Sequence, residues 1–360
     1  MARVFSFWQK NKFIGFIIPI IALGLAFLAP AQKSQGASQD NAFVNTPFSV
    51  AILPNEVFDH GKTKKLTASS IAASKVDFVI FTGDTKDGGS VCSDQVIGPD
   101  LKNYFDALKK PVLYSLGDNE WTDCHRTSNG GYDPLERLSF LRKFFFNKPY
   151  TQGLNPIPVQ RQGQLGGKFS ENSRFIYHNV MFVALHVVGS NNNLVSSDKL
   201  CHKKSKRTQA DCDKASAEYR ERNKANIEWL KQSFALARKK YLKGIAIVIQ
   251  ADIYTPFDVT HHGYKKFLKH LDDKNGFTDF FKTLVAETHN FDGQVALIHG
   301  DSHVFQFDKA MFNPDQTITS NFWRIETFGA REQSWVKLDV DPCADNVFKV
   351  TPIILPPLPK

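Results

Sequence analysis

Four times along this chain a short apolar run, rich in β-branched and aromatic residues, ends abruptly in a polar loop built around aspartate. Phe78-Val79-Ile80-Phe81 runs into Thr82-Gly83-Asp84-Thr85-Lys86-Asp87-Gly88, and Val112-Leu113-Tyr114-Ser115 into Leu116-Gly117-Asp118-Asn119-Glu120-Trp121. Ile247-Val248-Ile249 runs into Gln250-Ala251-Asp252, and Ala296-Leu297-Ile298 into His299-Gly300-Asp301-Ser302-His303. Runs of this kind read as buried strands. Ligands of open α/β sheets bind beyond the carboxyl ends of the strands, so these loops deliver oxygen and imidazole ligands to one edge. A single Gly-Asp after a strand is ordinary turn chemistry. Four in order point to a metal site, because hard divalent cations take carboxylate and amide oxygens, and Mn, Fe or Zn also accept imidazole.

Further strand-like runs cover residues 48–53 and 181–188, and helical patterns separate several of the strands. In residues 214–242, Ile227, Leu230, Phe234, Ala237 and Tyr241 step by three and four along one face. Leu135, Leu138, Leu141 and Phe145 do the same after Asp133-Pro134, a good helix start. This alternation predicts an α/β fold with much parallel pairing. Past His303 only short strand-like pieces remain, at 304–307, 322–328, 335–340 and 347–350, which suggests an antiparallel part of the sheet. No repeat or long linker divides the chain after residue 47, so residues 48–355 are expected to form one domain, and 31 Phe against 3 Met suggest a rigid aromatic interior.

Residues 1–31 read as a secretory signal, with Arg3, Lys10 and Lys12 ahead of an apolar run that closes in Ala29-Pro30-Ala31. The rival is an uncleaved N-terminal anchor; either way the domain is expected to be exported, periplasmic or secreted, with membrane contact only through that segment. Residues 32–47 look like a flexible lead-in. Export lets cysteines pair. Cys201 and Cys212 bracket a Lys-rich loop that a disulfide would staple, Cys92 and Cys124 follow two of the polar loops and can bond if those loops meet, and Cys343 is left over. No Cys/His zinc spacing occurs. The net charge of +9 favours anionic partners, yet no run of basic and aromatic residues argues for a specific nucleic-acid groove.

The order of these motifs resembles the calcineurin-like metallophosphoesterase superfamily, whose signature runs D-x-H, G-D, G-N-H-D/E, H and G-H-x-H. The phrases GDTKDGGSVC, LGDNEWTDCHR, LHVVGSNNN and IHGDSHVFQFD look like a little-characterised secreted, bacterial-type branch of it. The resemblance implies a four-layer α/β/β/α fold, with central mixed sheets sandwiched by helices, and one or two divalent metals (Mn, Mg, Fe or Zn). The implied activity is hydrolysis of phosphate mono- or diesters, on a phosphorylated small molecule or polymer, by metal-activated water. Carried over position by position, Asp84 matches the bridging aspartate, Asp118 stands for the asparagine ligand and Asn119 for the acid-base histidine. Glu120 matches the acidic residue that follows, Gln250 the lone histidine ligand, and Asp301 and His303 the two histidines of the last motif.

The departures are chemical. The first motif has lost its aspartate, with Leu53 or Pro54 in its place and Asp59-His60 a few residues on. Aspartate at 118 and 301 keeps an oxygen ligand and favours Mg or Mn over Zn. Asn119 does not exchange protons near neutral pH, so acid-base work would pass to Glu120, to His186 or to activated water. His186, on an apolar run before Gly189-Ser190-Asn191-Asn192-Asn193, reads equally as a hydrogen-bonded core histidine. Lys86 could offset phosphoryl charge, and the Asn-rich turn could donate amides to a phosphate. The lost ligand also supports a rival class, an exported binding protein that keeps the fold without catalysis.

Overall fold

Successive side chains of a strand point to opposite faces, so a strand apolar at every position must be covered on both sides. That rule organises the computed structural model, which describes residues 45–257 and 261–360. The signal segment and most of the lead-in lie outside the described residues. A small hairpin of Phe58–Asp59 with Lys62–Thr63 stands apart from the two main sheets, whose strands are β1 (Phe48–Ile52), β2 (Phe78–Phe81), β3 (Pro111–Tyr114) and a short β4 (Gln152–Gly153). Next come β5 (Gln160–Arg161), β6 (Ser173–Tyr177), β7 (Val180–Ala184), β8 (Gly244–Val248) and β9 (Gln294–His299). The chain closes with β10 (Gln306–Asp308), β11 (Phe322–Glu326), β12 (Trp335–Val340) and β13 (Phe348–Ile353).

They form two mixed sheets, one in the order β13-β12-β1-β2-β3-β4 and the other β10-β11-β9-β8-β7-β6-β5. In the first, β1, β2 and β3 are parallel; in the second, β7, β8, β9 and β11 are. Alternate residues sort into different cores. Val50, Ile52, Phe78 and Ile80 pack between the sheets with Phe182, Ala184, Val248 and Ile298. Val79 and Phe81 face outward against α1 (Lys65–Ala73), α2 (Leu101–Ala107) and α3 (Pro134–Phe145) through Ile71, Phe105 and Leu141. Val183, Ile247 and Leu297 face the other way, against α4 (Gln209–Lys239), α5 (His261–Leu268) and α6 (Thr278–His289). The architecture is therefore α/β/β/α, and the carboxyl ends of two parallel strand sets bring the polar loops of both sheets together. Among the described residues no helix is long and apolar enough to cross a membrane.

Several local expectations need correction. The tail is not all antiparallel, because β11 pairs parallel with β9 in register Val295↔Phe322 to His299↔Glu326. Helix α4 begins five residues early, since Thr208 and Asp211 form a capping box there. It stops at Lys239, and Tyr241 lies beyond it with a left-handed φ of 53° and 86% exposure, off the apolar face. The strand at 181–188 ends at Ala184, which places His186 in the loop that follows.

Candidate metal centre

Each carboxylate of the centre sits immediately past a parallel strand: Asp84 after β2, Asp118 after β3 and Asp301 after β9. One oxygen from each lies within 4.8 Å of the others. Close approach of the loops requires glycine at two places. A Cβ on Gly83, whose φ is +89°, would collide with the backbone of Gly117, and one on Gly117 would collide with the backbone and carboxylate of Asp84. Asp84 (φ 58°) and Asp301 (φ 78°) themselves take the left-handed conformation that turns their side chains over the strand ends. Such non-glycine strain costs about 1–3 kcal/mol per residue and persists only where the surroundings enforce it.

Gln250, after β8, ties the cluster together. Its Nε2 donates to Asp84 Oδ2 at 2.9 Å, Asp118 Oδ1 at 3.2 Å and Asp301 Oδ1 at 3.0 Å, while its Oε1 accepts from Gly189 N at 2.5 Å. The last bond fixes which way the amide points. Asn119 N donates to Asp84 Oδ1 at 3.3 Å, Ser190 Oγ to Asp118 Oδ2 at 2.7 Å and Asp252 N to Asp301 Oδ2 at 3.3 Å. Burial, then the negative charge of Asp118, pushes Asp84 and Asp301 well above the usual carboxylate range. Two amide hydrogens cannot neutralise three carboxylates, of which Asp84 and Asp118 are buried and Asp301 is half-buried. The oxygen donors and this unbalanced charge fit a hard divalent cation.

The remaining sequence candidates land differently. Glu120 is fully buried; its Oε1 accepts from Thr85 N and Thr85 Oγ1, each at 2.8 Å, and its Oε2 has no hydrogen-bond partner among the described residues. Burial raises its pKa. It thereby clamps the Asp84 loop. The Asn119 contribution is its backbone N–H. His303 stands outside the three-carboxylate group, with Nε2 3.7 Å from Glu56 Oε1 and its ring against Gly329. His186 is bonded to none of the aspartates. Its Nδ1 is 2.8 Å from Glu171 Oε1, its ring lies on Trp121, and Glu171 is held in turn by Arg142 at 2.8 and 2.5 Å. Burial first, then Arg222, pushes His186 down to about 4, which favours the neutral imidazole.

Where the first-motif aspartate is missing, Leu53 is buried and apolar, and the polar work passes to Asn55, absent from the sequence candidates. Its Nδ2 donates to Gly83 O at 2.7 Å and its Oδ1 accepts from Asp301 N at 3.0 Å, joining the two loops that carry strained aspartates. Glu56 follows it, raised to about 7 by burial against the opposing charge of Lys64. Their position directly past β1 was the available signal. Asp59 is buried, whereas the His60 side chain is 73% exposed. Lys86 is buried near Glu120 and Asp84, with Nζ 3.1 Å from Asp87 O. The Asn-turn amides are committed within the protein, Asn191 to Leu194 O and Lys274 O, and Asn192 to Gly276 O. Cys92–Cys124 and Cys201–Cys212 are disulfides, and Cys343 is free.

Two mixed sheets back to back between helices, with carboxylates at the convergent strand ends, constitute the calcineurin-like metallophosphoesterase fold. Among solved structures the chain is similar to that of PhoD, with a TM-score of 0.51 and 10% identity over 83% of this chain. It spans 65% of that protein's length. A dimetal phosphatase from Danio rerio aligns with a TM-score of 0.41 and 10% identity, covering 86% of this chain and 99% of that one. A 5'-nucleotidase from Candida albicans aligns at 0.40 and 11%, covering 86% and 52%. No family profile and no curated protein matches the sequence.

Proposed function

We propose that this protein is a divalent-metal-dependent hydrolase of phosphate esters, with residues 48–355 as its catalytic domain. The observation that carries the reading is the convergence of Asp84, Asp118 and Asp301 on one point with a net negative charge that their hydrogen bonds leave unbalanced. In this reading the three aspartates hold the cation, and the oxygen set favours Mg or Mn. A cation there lowers the pKa of water and offsets charge on the phosphoryl oxygens. Gln250 keeps the three carboxylates in mutual register, and Ser190 orients Asp118. Glu120, through Thr85, and Asn119, through its N–H, hold Asp84 in its strained turn. Lys86 places positive charge near the same carboxylates, where it can offset charge on the bound ester. The two disulfides fit an oxidising compartment, and we place the enzyme outside the cytosol, periplasmic or secreted.

The test is hydrolysis of p-nitrophenyl phosphate and bis-p-nitrophenyl phosphate with Mn or Mg, beside Asp84→Ala. Metal-dependent turnover that disappears in the variant is expected, and the faster ester sets the substrate class. Folded protein inert with every cation tried would replace the hydrolase by a binding protein on the same fold.

A further inference from the structure

The wall beside Asp118 is basic. A cavity of about 200 Å³ opens next to Ser190, whose hydroxyl holds Asp118, and next to Asp123. At roughly 30 Å³ per water it has the room of about six waters, enough for one phosphate group. Three cationic side chains line it, Arg126, Lys203 and Arg207, against the single acid Asp123. Asp123 is already taken, 2.5 Å from Arg126 Nη2 and 2.9 Å from Ser190 Oγ. Among the described residues the Arg207 guanidinium hydrogen-bonds to carbonyls, Cys201 O at 3.2 Å and Leu200 O at 3.3 Å, while Asp123 and Asp211 act on its charge from nearby. His125 completes the wall, and burial followed by the charges of Arg207 and Arg126 pushes its imidazole down to about 4. The lining of the cavity thus carries three cationic side chains against one acid.

The wall is also held in place. The Cys201–Cys212 disulfide closes the segment that carries Lys203 and Arg207, with Cα atoms 5.6 Å apart. That segment docks on the His125–Thr127 stretch through an Arg126↔Ser205 bridge, Thr127 N to Lys204 O at 3.0 Å and Ser205 Oγ to His125 O at 3.2 Å. The stretch is fastened in turn by Cys92–Cys124, whose sulfurs lie 3.5 and 3.7 Å from the carbonyl oxygen of Asn119. Two covalent staples therefore fix a basic cavity relative to the carboxylate cluster, which lowers the ordering cost of binding.

We propose that this cavity is a subsite for a second anionic group, so that the preferred ester carries another phosphate besides the one presented to the aspartates. The existence of an anion site is independent of catalysis, and only its assignment to the substrate rests on the hydrolase reading. Calorimetric titration of the protein with inorganic phosphate in EDTA tests the site alone. Saturable binding is expected, weakened about tenfold by Arg207→Ala and again by Lys203→Ala, the size of losing one charge-assisted hydrogen bond. With Mn present, kcat/KM for fructose 1,6-bisphosphate is expected to exceed that for fructose 6-phosphate at least tenfold, and Arg207→Ala to shrink that ratio through KM. No phosphate binding in EDTA together with equal kcat/KM for the two sugars overturns the subsite while leaving the hydrolase standing. Phosphate binding that Arg207→Ala weakens, with no hydrolysis under any cation, keeps the anion site and sinks the hydrolase. Binding indifferent to both substitutions places the anion elsewhere and overturns the proposal.

Discussion

Replacing Asp118 by Asn is the most informative single change, because it removes one of three converging charges and leaves the shape almost unaltered. In the wild type, a cation present at 100 times its Kd contributes about 2.7 kcal/mol of stability. Unfolding about 310 residues releases roughly 2.1 cal/mol/K each, near 0.65 kcal/mol/K in all, so that gain raises Tm by about 4 °C. Without cations, Asp84 and Asp301 titrate above their unfolded values, because burial and Asp118 oppose their ionisation. Carboxyls with raised folded pKa values stabilise below the unfolded pKa, near 4, and lose that contribution as pH rises. Metal-free wild type should therefore lose stability from about pH 4 upward. Asp118→Asn removes the largest charge acting on both partners, so the metal-free variant should be at least as stable as wild type at pH 7 and show a shallower pH slope. It should also lose most of the 4 °C gain on adding Mn or Mg. Differential scanning fluorimetry from pH 4 to 9, with EDTA or Mn, reads all three quantities. A variant less stable than wild type in EDTA, together with a wild type indifferent to every divalent cation, would refute the view that these carboxylates are a charge trap awaiting a metal.

Glu171→Ala leaves Arg142 buried without its partner and should cost about 3–5 kcal/mol by urea unfolding, yet leave the Mn-induced rise in Tm intact, since His186 is bonded to Glu171 and not to the centre. Burial alone would raise the Glu171 carboxyl, but Arg142 and His186 outweigh it and hold it low, so this pair stabilises above the ordinary glutamate pKa and fails only as pH falls below it. Glu326 has the opposite sign: burial, then Asp252, lifts it to about 9, so stability should fall as pH rises from about 4.5 to 9, and Glu326→Gln should flatten that slope in saturating Mn. Cys201→Ser with Cys212→Ser opens an 11-residue loop, and the double variant should lose about 3 kcal/mol in denaturant titration.

Most of the strands and two of the helices, α3 and α4, could be read directly from the chain because their signals are local. Asp133 caps α3 through Leu135 N at 2.8 Å, as Asp133-Pro134 announces, and the unbroken apolar runs become strands buried on both faces. The carboxylate cluster was announced the same way, by aspartates directly past strands. Three matters had no local signal. Parallel pairing of β11 with β9 is chosen by which edge is open, and nothing in 322–326 encodes that. Whether His186 serves chemistry or the core depends on Glu171, which lies 15 residues away and reaches it only after β6 and β7 have paired. The link that Asn55 makes between the Asp84 and Asp301 loops, through partners 28 and 246 positions away, is a matter of convergence alone. Periodicity and caps are written within a few residues and survive in the bare chain; the geometry and charge balance of the carboxylate cluster depend on atoms that only folding brings within 4.8 Å of one another.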